Sequence, residues 1–250
     1  MKKLSASFIA KSLTAVALAV SAGASFGAST WTLNDCTSCA GTNGAGSVTV
    51  TAFAVGTAAG AQYAAASIGG YGASGLGVTS GGESGSPQHA VDNADRTDAL
   101  LLNFGSQSVD LDAATIGWKS GDADISLFRY TGSAPPTIAG LSIAGLAGAG
   151  WTLVGNYADL AENINKTVNT SNTSSSWWLV SAYNSNFGTT TSDGGAITGV
   201  GTVGNGNDFF KFLSVTGTPT SKVPEPGSLA LFGLGLVGLV ASRRRKSAAV

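Results

Sequence analysis

Ser47-Val-Thr-Val-Thr-Ala-Phe-Ala-Val55 alternates apolar with small or polar residues along its whole length. A period of two puts one set of side chains on one face of an extended chain, which predicts a half-buried β-strand. The same reading extends outward. Ala99-Leu-Leu-Leu-Asn-Phe104 is an apolar run of strand length. Ser108-Val-Asp-Leu-Asp112 puts Val109 and Leu111 on one face and Asp110 and Asp112 on the other, and Ala114-Thr-Ile-Gly-Trp118 continues it. Asp124–Tyr130, Trp151–Tyr157, Ser176–Tyr183 and Asp208–Val215 complete the set. Ser120-Gly-Asp122, Thr131-Gly-Ser133, Asp193-Gly-Gly195 and Asn205-Gly-Asn207 are turn signals between them. About seven short strands with such breaks predict an all-β chain, a single β-sandwich of jelly-roll type.

Composition agrees. The chain has 36 glycines and only 11% charged residues, which is poor in the Glu, Lys and Leu of surface helices. The main helical candidate is short, Tyr157–Asn165. Gly140–Gly150 reads as a loop or one helical turn. Ala58–Ser86, dominated by Gly, Ala and Ser, reads as a long surface loop docked by Tyr63, Ile68 and Tyr71. Asn169–Ser176 and Thr189–Gly206 read as further polar loops.

The two ends read as transport signals. Met1-Lys-Lys3 and Lys11 precede a short apolar stretch, Ser12–Val20, and small residues follow to Ala28. That pattern predicts a cleavable signal peptide over 1–28. At the other end Val223-Pro-Glu-Pro-Gly227 precedes the apolar run Leu229–Ala241 and the basic cluster Arg243-Arg244-Arg245-Lys246. The run has 13 residues, roughly 20 Å as a helix, against a bilayer core of about 30 Å. Such a span is marginal, and snorkelling arginines extend it. The basic cluster should stay cytoplasmic, with Pro224-Glu225-Pro226 at the outer face of the inner membrane.

A turn-forming motif, a short hydrophobic helix and a basic stop, in that order, resemble the PEP-CTERM sorting tail of Gram-negative bacteria. The resemblance implies a sorting signal over 223–250: a motif at 223–227, a hydrophobic helix at 228–242 and a basic tail at 243–246. It implies recognition of Val223, Pro224, Glu225 and Pro226 by an exosortase, transient contact with the inner membrane, and export to the cell surface or extracellular matrix. By the same resemblance the protein belongs with exopolysaccharide and biofilm. His89-Ala-Val-Asp-Asn93, Asp98–Phe104 and Ile116-Gly-Trp118 also look like a group of exosortase-dependent surface proteins, which implies no activity.

Setting both ends aside leaves residues 29–222 as the exported β domain. This domain keeps six Lys and Arg against 13 Asp and Glu, a net charge of about −7. Nucleic-acid binding needs a basic footprint, so that class is excluded.

Candidate sites within the domain are few. Asp92, Asn93, Asp95 and Asp98 follow His89, the single histidine, within nine residues. Oxygen ligands at such spacing suit Ca²⁺, and an Asx-rich turn explains the same pattern. No other cofactor is expected. Cys36-Thr-Ser-Cys39 reads as a local disulfide in an exported chain, closing a loop too small to add much stability. Trp177 and Trp178 are neighbours on a strand and must face opposite sides, so one belongs to the core and the other to the exposed rim, where it could stack a sugar. Trp118 and Trp151 are further stacking candidates. Residues 29–222 hold no Gly-x-Ser-x-Gly elbow, and one histidine does not make a Zn²⁺ site. The expectation is a non-enzymatic surface protein, structural or adhesive in exopolysaccharide. The alternatives are a carbohydrate-binding module and, behind it, a secreted hydrolase.

Overall fold

A computed structural model describes residues 27–83, 85–87, 89–192 and 206–220. Residues 1–26 of the expected signal peptide, the sorting tail with Val223–Pro226 and Arg243–Lys246, and most of the Thr189–Gly206 loop lie outside the described residues. In chain order the strands are β1 (Ser29–Thr32), β2 (Ser38–Ala40), β3 (Ser47–Gly56), β4 (Ala64–Gly70), β5 (Leu76–Thr79), β6 (Val91–Asp92) and β7 (Arg96–Asn103). They continue as β8 (Val109–Lys119), β9 (Ile125–Tyr130), β10 (Trp151–Tyr157), β11 (Lys166–Thr167), β12 (Ser174–Ser175), β13 (Trp177–Ala182) and β14 (Phe209–Pro219). All seven strands expected from the sequence are present.

These strands form one curled antiparallel sheet, ordered β10-β9-β13-β7-β3-β4-β5-β14-β8-β11. The curl is made by β4. Its first residues, Ala64–Ala66, pair with β3, and its last, Ser67–Gly70, pair with β5. One strand therefore passes from one half of the sheet to the other, as corner strands do in packed-sheet folds. The halves face each other across a shared core. Val48, Val50, Leu100, Leu102, Trp178 and Val180 come from one side, and Leu76, Val109, Leu111, Ile116, Phe210 and Phe212 from the other.

The Ala58–Ser86 segment is thus not a loop. It holds β4, β5 and the corner between them, with Tyr63 fully buried. Its small residues serve close backbone approach rather than looseness. A Cβ at Gly77 would collide with the His89 carbonyl oxygen. Gly75, at φ +97°, lies against the Phe212 and Leu213 backbone.

Tyr157–Asn165 is not helical either. Asp159 and Asn163 have φ of 52° and 58°, which no right-handed helix accepts. The segment instead runs alongside β8 and the connection from β8 to β9, with Leu160 N donating to Ala123 O at 2.9 Å and Asn163 N to Ile116 O at 2.7 Å. Burying Leu160 and satisfying these edges outweighs a weak helical propensity.

A second apolar cluster lies on the outer face of the β10-β9-β13-β7-β3 half. Leu101, Phe128, Leu179 and Trp151 meet Ile138 and Leu146 from the connection after β9. That connection contains α1 (Gly145–Gly148), a single turn. Covering both faces explains why β7 and β13 are buried at nearly every position rather than at alternate ones.

Candidate functional site

One end of the covered half carries an aromatic row. The register pairs Trp177 with Asn103, Trp178 with Arg129, and Trp151 with Tyr130. Strand alternation then separates the adjacent tryptophans. Trp178 is fully buried in the shared core, and its Nε1 donates to Ser175 O at 3.0 Å and Val109 O at 3.2 Å. Trp177 takes the outer face, half-buried beside Tyr130. The Tyr130 ring in turn stands 5.2 Å from that of Trp151. Ser175 Oγ donates to Tyr130 O at 2.7 Å and accepts from Trp177 N at 3.1 Å, tying the strands at this point.

An open cleft of about 650 Å³ lies along this row, lined by Trp177, Tyr130, Arg129, Asn103, Ser174 and Ser176, among others. Hydroxyls and amides dominate its walls, and Arg129 is the one charged residue among those lining it. An aromatic floor within polar walls can stack a sugar ring and hydrogen-bond its hydroxyls.

The acidic residues gather at the opposite ends of these strands. Asn93 does not join Asp92, Asp95 and Asp98 around a common centre. Its Nδ2 donates to Tyr183 O at 2.7 Å and to Asp208 Oδ2, and its Oδ1 accepts from Asp208 N at 3.0 Å. Asp95 is exposed. Asp92 and Asp98 are both 0% exposed. Burial, with Asp92 and Glu83 nearby, pushes the Asp98 carboxyl up to about 9. Burial and then the neighbouring Glu83 and Asp95 push Asp92 up to about 7, against a backbone hydrogen bond from Ala94 that lowers it.

Asp208 lies beyond Asn93, in a triad that sequence reading missed. Asp122, Asp124 and Asp208 each offer a carboxylate oxygen within 4.8 Å of the others. Protein donors already serve them: Asp124 N on Asp208 Oδ1 at 2.7 Å, Asp159 N on Asp124 Oδ1 at 2.8 Å, and Ala123 N on Asp122 Oδ1 at 2.8 Å. Burial, with Asp124 alongside, pushes the Asp208 carboxyl up to about 8. A visible signal existed, since Asp122 and Asp124 precede one strand and Asp208 another. Only the pairing of those strand ends brings them together.

The remaining candidates have local roles. Cys36 and Cys39 form a disulfide with Cα atoms 5.7 Å apart, at the entry to β2. His89 Nε2 accepts from Gly85 N at 3.0 Å, and its ring stacks on Tyr71. Trp118 and Tyr71 hold Lys211 Nζ between them, 4.5 and 3.8 Å from their ring centroids. Burial lowers the Lys211 pKa. This clasp pins the β4–β5 corner onto β14.

Among the described residues no helix is long and apolar enough to cross a membrane. No curated protein matches the chain. Residues 222–246 match the PEP-CTERM protein-sorting motif, so the chain carries the exosortase recognition signal of an exported protein.

Proposed function

We propose that this chain is an exosortase-processed surface or extracellular-matrix protein of a Gram-negative cell, structural and adhesive in exopolysaccharide, and that the cleft at Trp177 is its polysaccharide contact. The sorting motif supports the route and says nothing of the contact. The observation that carries the contact is the partly exposed Trp177 ring beside Tyr130 in an open, polar cleft. A matrix polymer needs many weak, extended contacts, and an open groove suits a passing chain better than a closed pocket suits an end group. Among the described residues no carboxylate lines this cleft, which favours holding a glycan over hydrolysing it, since glycoside hydrolysis uses two carboxylates flanking the bond.

Two experiments test this reading. Co-sedimentation of the purified protein with native extracellular polysaccharide should retain it, and Trp177→Ala should release it. Equal retention of the variant would refute the cleft, and no retention of either would refute the adhesive role. A glycan array separates a carbohydrate-binding module from a general adhesive: one defined sugar class would favour the module. For the route, mass spectrometry of surface material should find no peptide running from Pro226 into Leu231, because processing removes the tail.

A further inference from the structure

The Ser80–Glu83 turn, β6 and the start of β7 bring near one another three carboxylates with oxygens that no partner among the described residues satisfies. Asp92 Oδ1 accepts from Ala94 N at 3.0 Å, and Asp98 Oδ2 faces Asp92 N at 3.4 Å. The other oxygen of each, Asp92 Oδ2 and Asp98 Oδ1, is buried without a partner. Glu83 Oε2 accepts from Ser80 N at 2.7 Å and from Ser80 Oγ at 3.1 Å, while its Oε1 is also buried and unpartnered. Both aspartates are 0% exposed. Leaving such oxygens bare is costly in a protein interior, so the arrangement calls for a ligand or a counter-charge.

The surroundings narrow the choice. Arg96 is the cation that acts on Asp98. Burial favours the protonated Asp92 and Asp98 carboxyls, so a bound cation must displace those protons. The three ionised carboxylates and one guanidinium then leave about two negative charges, which a divalent ion matches. The unpartnered atoms of Glu83, Asp92 and Asp98 are all carboxylate oxygens, the donor set of a hard cation. An approach exists as well: an open cleft of about 540 Å³ is lined by Gly81, Gly82, Glu83, Asp95 and Arg96. Glu83 thus belongs both to the cleft wall and to the carboxylate group beneath it.

We propose that Glu83, Asp92 and Asp98 bind a divalent cation of the Ca²⁺ class, entered from the cleft beside Gly81 and Arg96. Water and backbone carbonyls complete the six to eight ligands such an ion takes. The three carboxylates are less tightly gathered than Asp122, Asp124 and Asp208, the one group of three within 4.8 Å among the described residues. Binding therefore draws the Glu83 side chain inward from its turn. The tighter triad is the weaker candidate, because backbone and Asn93 donors already occupy its oxygens. The site is independent of any glycan contact, since it lies away from the Trp177 cleft.

The test is calorimetric titration of the full chain, stripped with EDTA, with CaCl₂ and separately with MgCl₂, alongside thermal denaturation at each concentration. The expected result is one saturable Ca²⁺ site, weak by the standard of cytosolic buffers, with Kd about 10⁻⁴–10⁻³ M as in extracellular modules. Tm should rise with occupancy. Asp98→Asn and Glu83→Gln should each weaken binding at least tenfold. Both variants replace a buried or half-buried carboxyl with an amide of the same shape, so they should remain folded in EDTA, which circular dichroism checks. Absence of any Ca²⁺-dependent shift at 10 mM would overturn the proposal. So would Ca²⁺ binding lost in Asp122→Asn and retained in Asp98→Asn, which would place the ion in the other triad.

Discussion

Asn93 and Asp208 hold each other by two hydrogen bonds across 115 residues of sequence: Asp208 N donates to Asn93 Oδ1 at 3.0 Å, and Asn93 Nδ2 donates to Asp208 Oδ2. The pair joins the turn after β6 to the start of β14, and its third bond, to Tyr183 O, adds the end of β13. Three distant segments therefore close on one amide. Asn93→Ala leaves the Asp208 carboxylate, the Asp208 N–H and the Tyr183 carbonyl short of a partner, and should cost about 1–3 kcal/mol. Asn93→Asp should cost more, because it replaces the amide donor with a second carboxyl that must itself be buried, charged or protonated, against Asp208. Urea denaturation of both variants measures the order, and Asn93→Asp proving as stable as wild type would be the contrary result.

The buried Asp208 carboxyl sets the sign of a pH effect. Its folded pKa, about 8, lies above the value of 3.8 for a free aspartate. A raised folded pKa means that the folded state holds the proton more tightly. That contribution is complete below about pH 4 and is lost as pH rises through about 8. Asp92 and Asp98 shift in the same direction. In EDTA, stability should therefore fall between pH 5 and pH 9, the reverse of ordinary acid unfolding. Denaturation midpoints across that range read it directly, and a midpoint that climbs toward pH 9 would contradict the burial of these groups.

Trp177 and Trp178 should separate function from stability. Trp178 is fully buried in the shared core, so Trp178→Ala should cost about 3–5 kcal/mol. Trp177 is half-buried at the cleft. Its alanine variant should lose far less stability and should lose retention on polysaccharide. Thermal melts and co-sedimentation, run on both variants, resolve the two effects.

The corner offers a contrast between two glycines. A Cβ at Gly77 meets the His89 carbonyl, whereas one at Gly60 meets nothing within 4 Å and suffers only from its φ of +74°. Gly77→Ala must push β5 away from the His89 backbone and should cost at least as much as core overpacking, about 1–3 kcal/mol. Gly60→Ala should cost about 1 kcal/mol. Equal Tm losses in the two variants would argue against close approach as the reason for glycine at 77.

Strand content was legible because it depends on local alternation. Ser47–Val55 needs no distant partner to show its inward face, and the same holds for Asp124–Tyr130. The β4–β5 corner was not legible. Its Gly, Ala and Ser residues carry no periodic apolar signal, and their value lies in what approaches them: His89 at Gly77 and Phe212 at Gly75. The expected helix at Tyr157–Asn165 failed for a related reason, since Leu160 is drawn to Ala123 before β9 and Asn163 to β8.

By itself, the sequence determined the all-β class, the opposed faces of Trp177 and Trp178, and the sorting motif at 222–246, because each is written in residues adjacent or nearly adjacent along the chain. Tertiary structure alone decided the curl of the sheet at β4, the separation of Asn93 from Asp92 and Asp98, and the meeting of Asp122 and Asp124 with Asp208. Those outcomes depend on which strand ends come together, and strand pairing is settled by burial of the whole sheet rather than by any single segment.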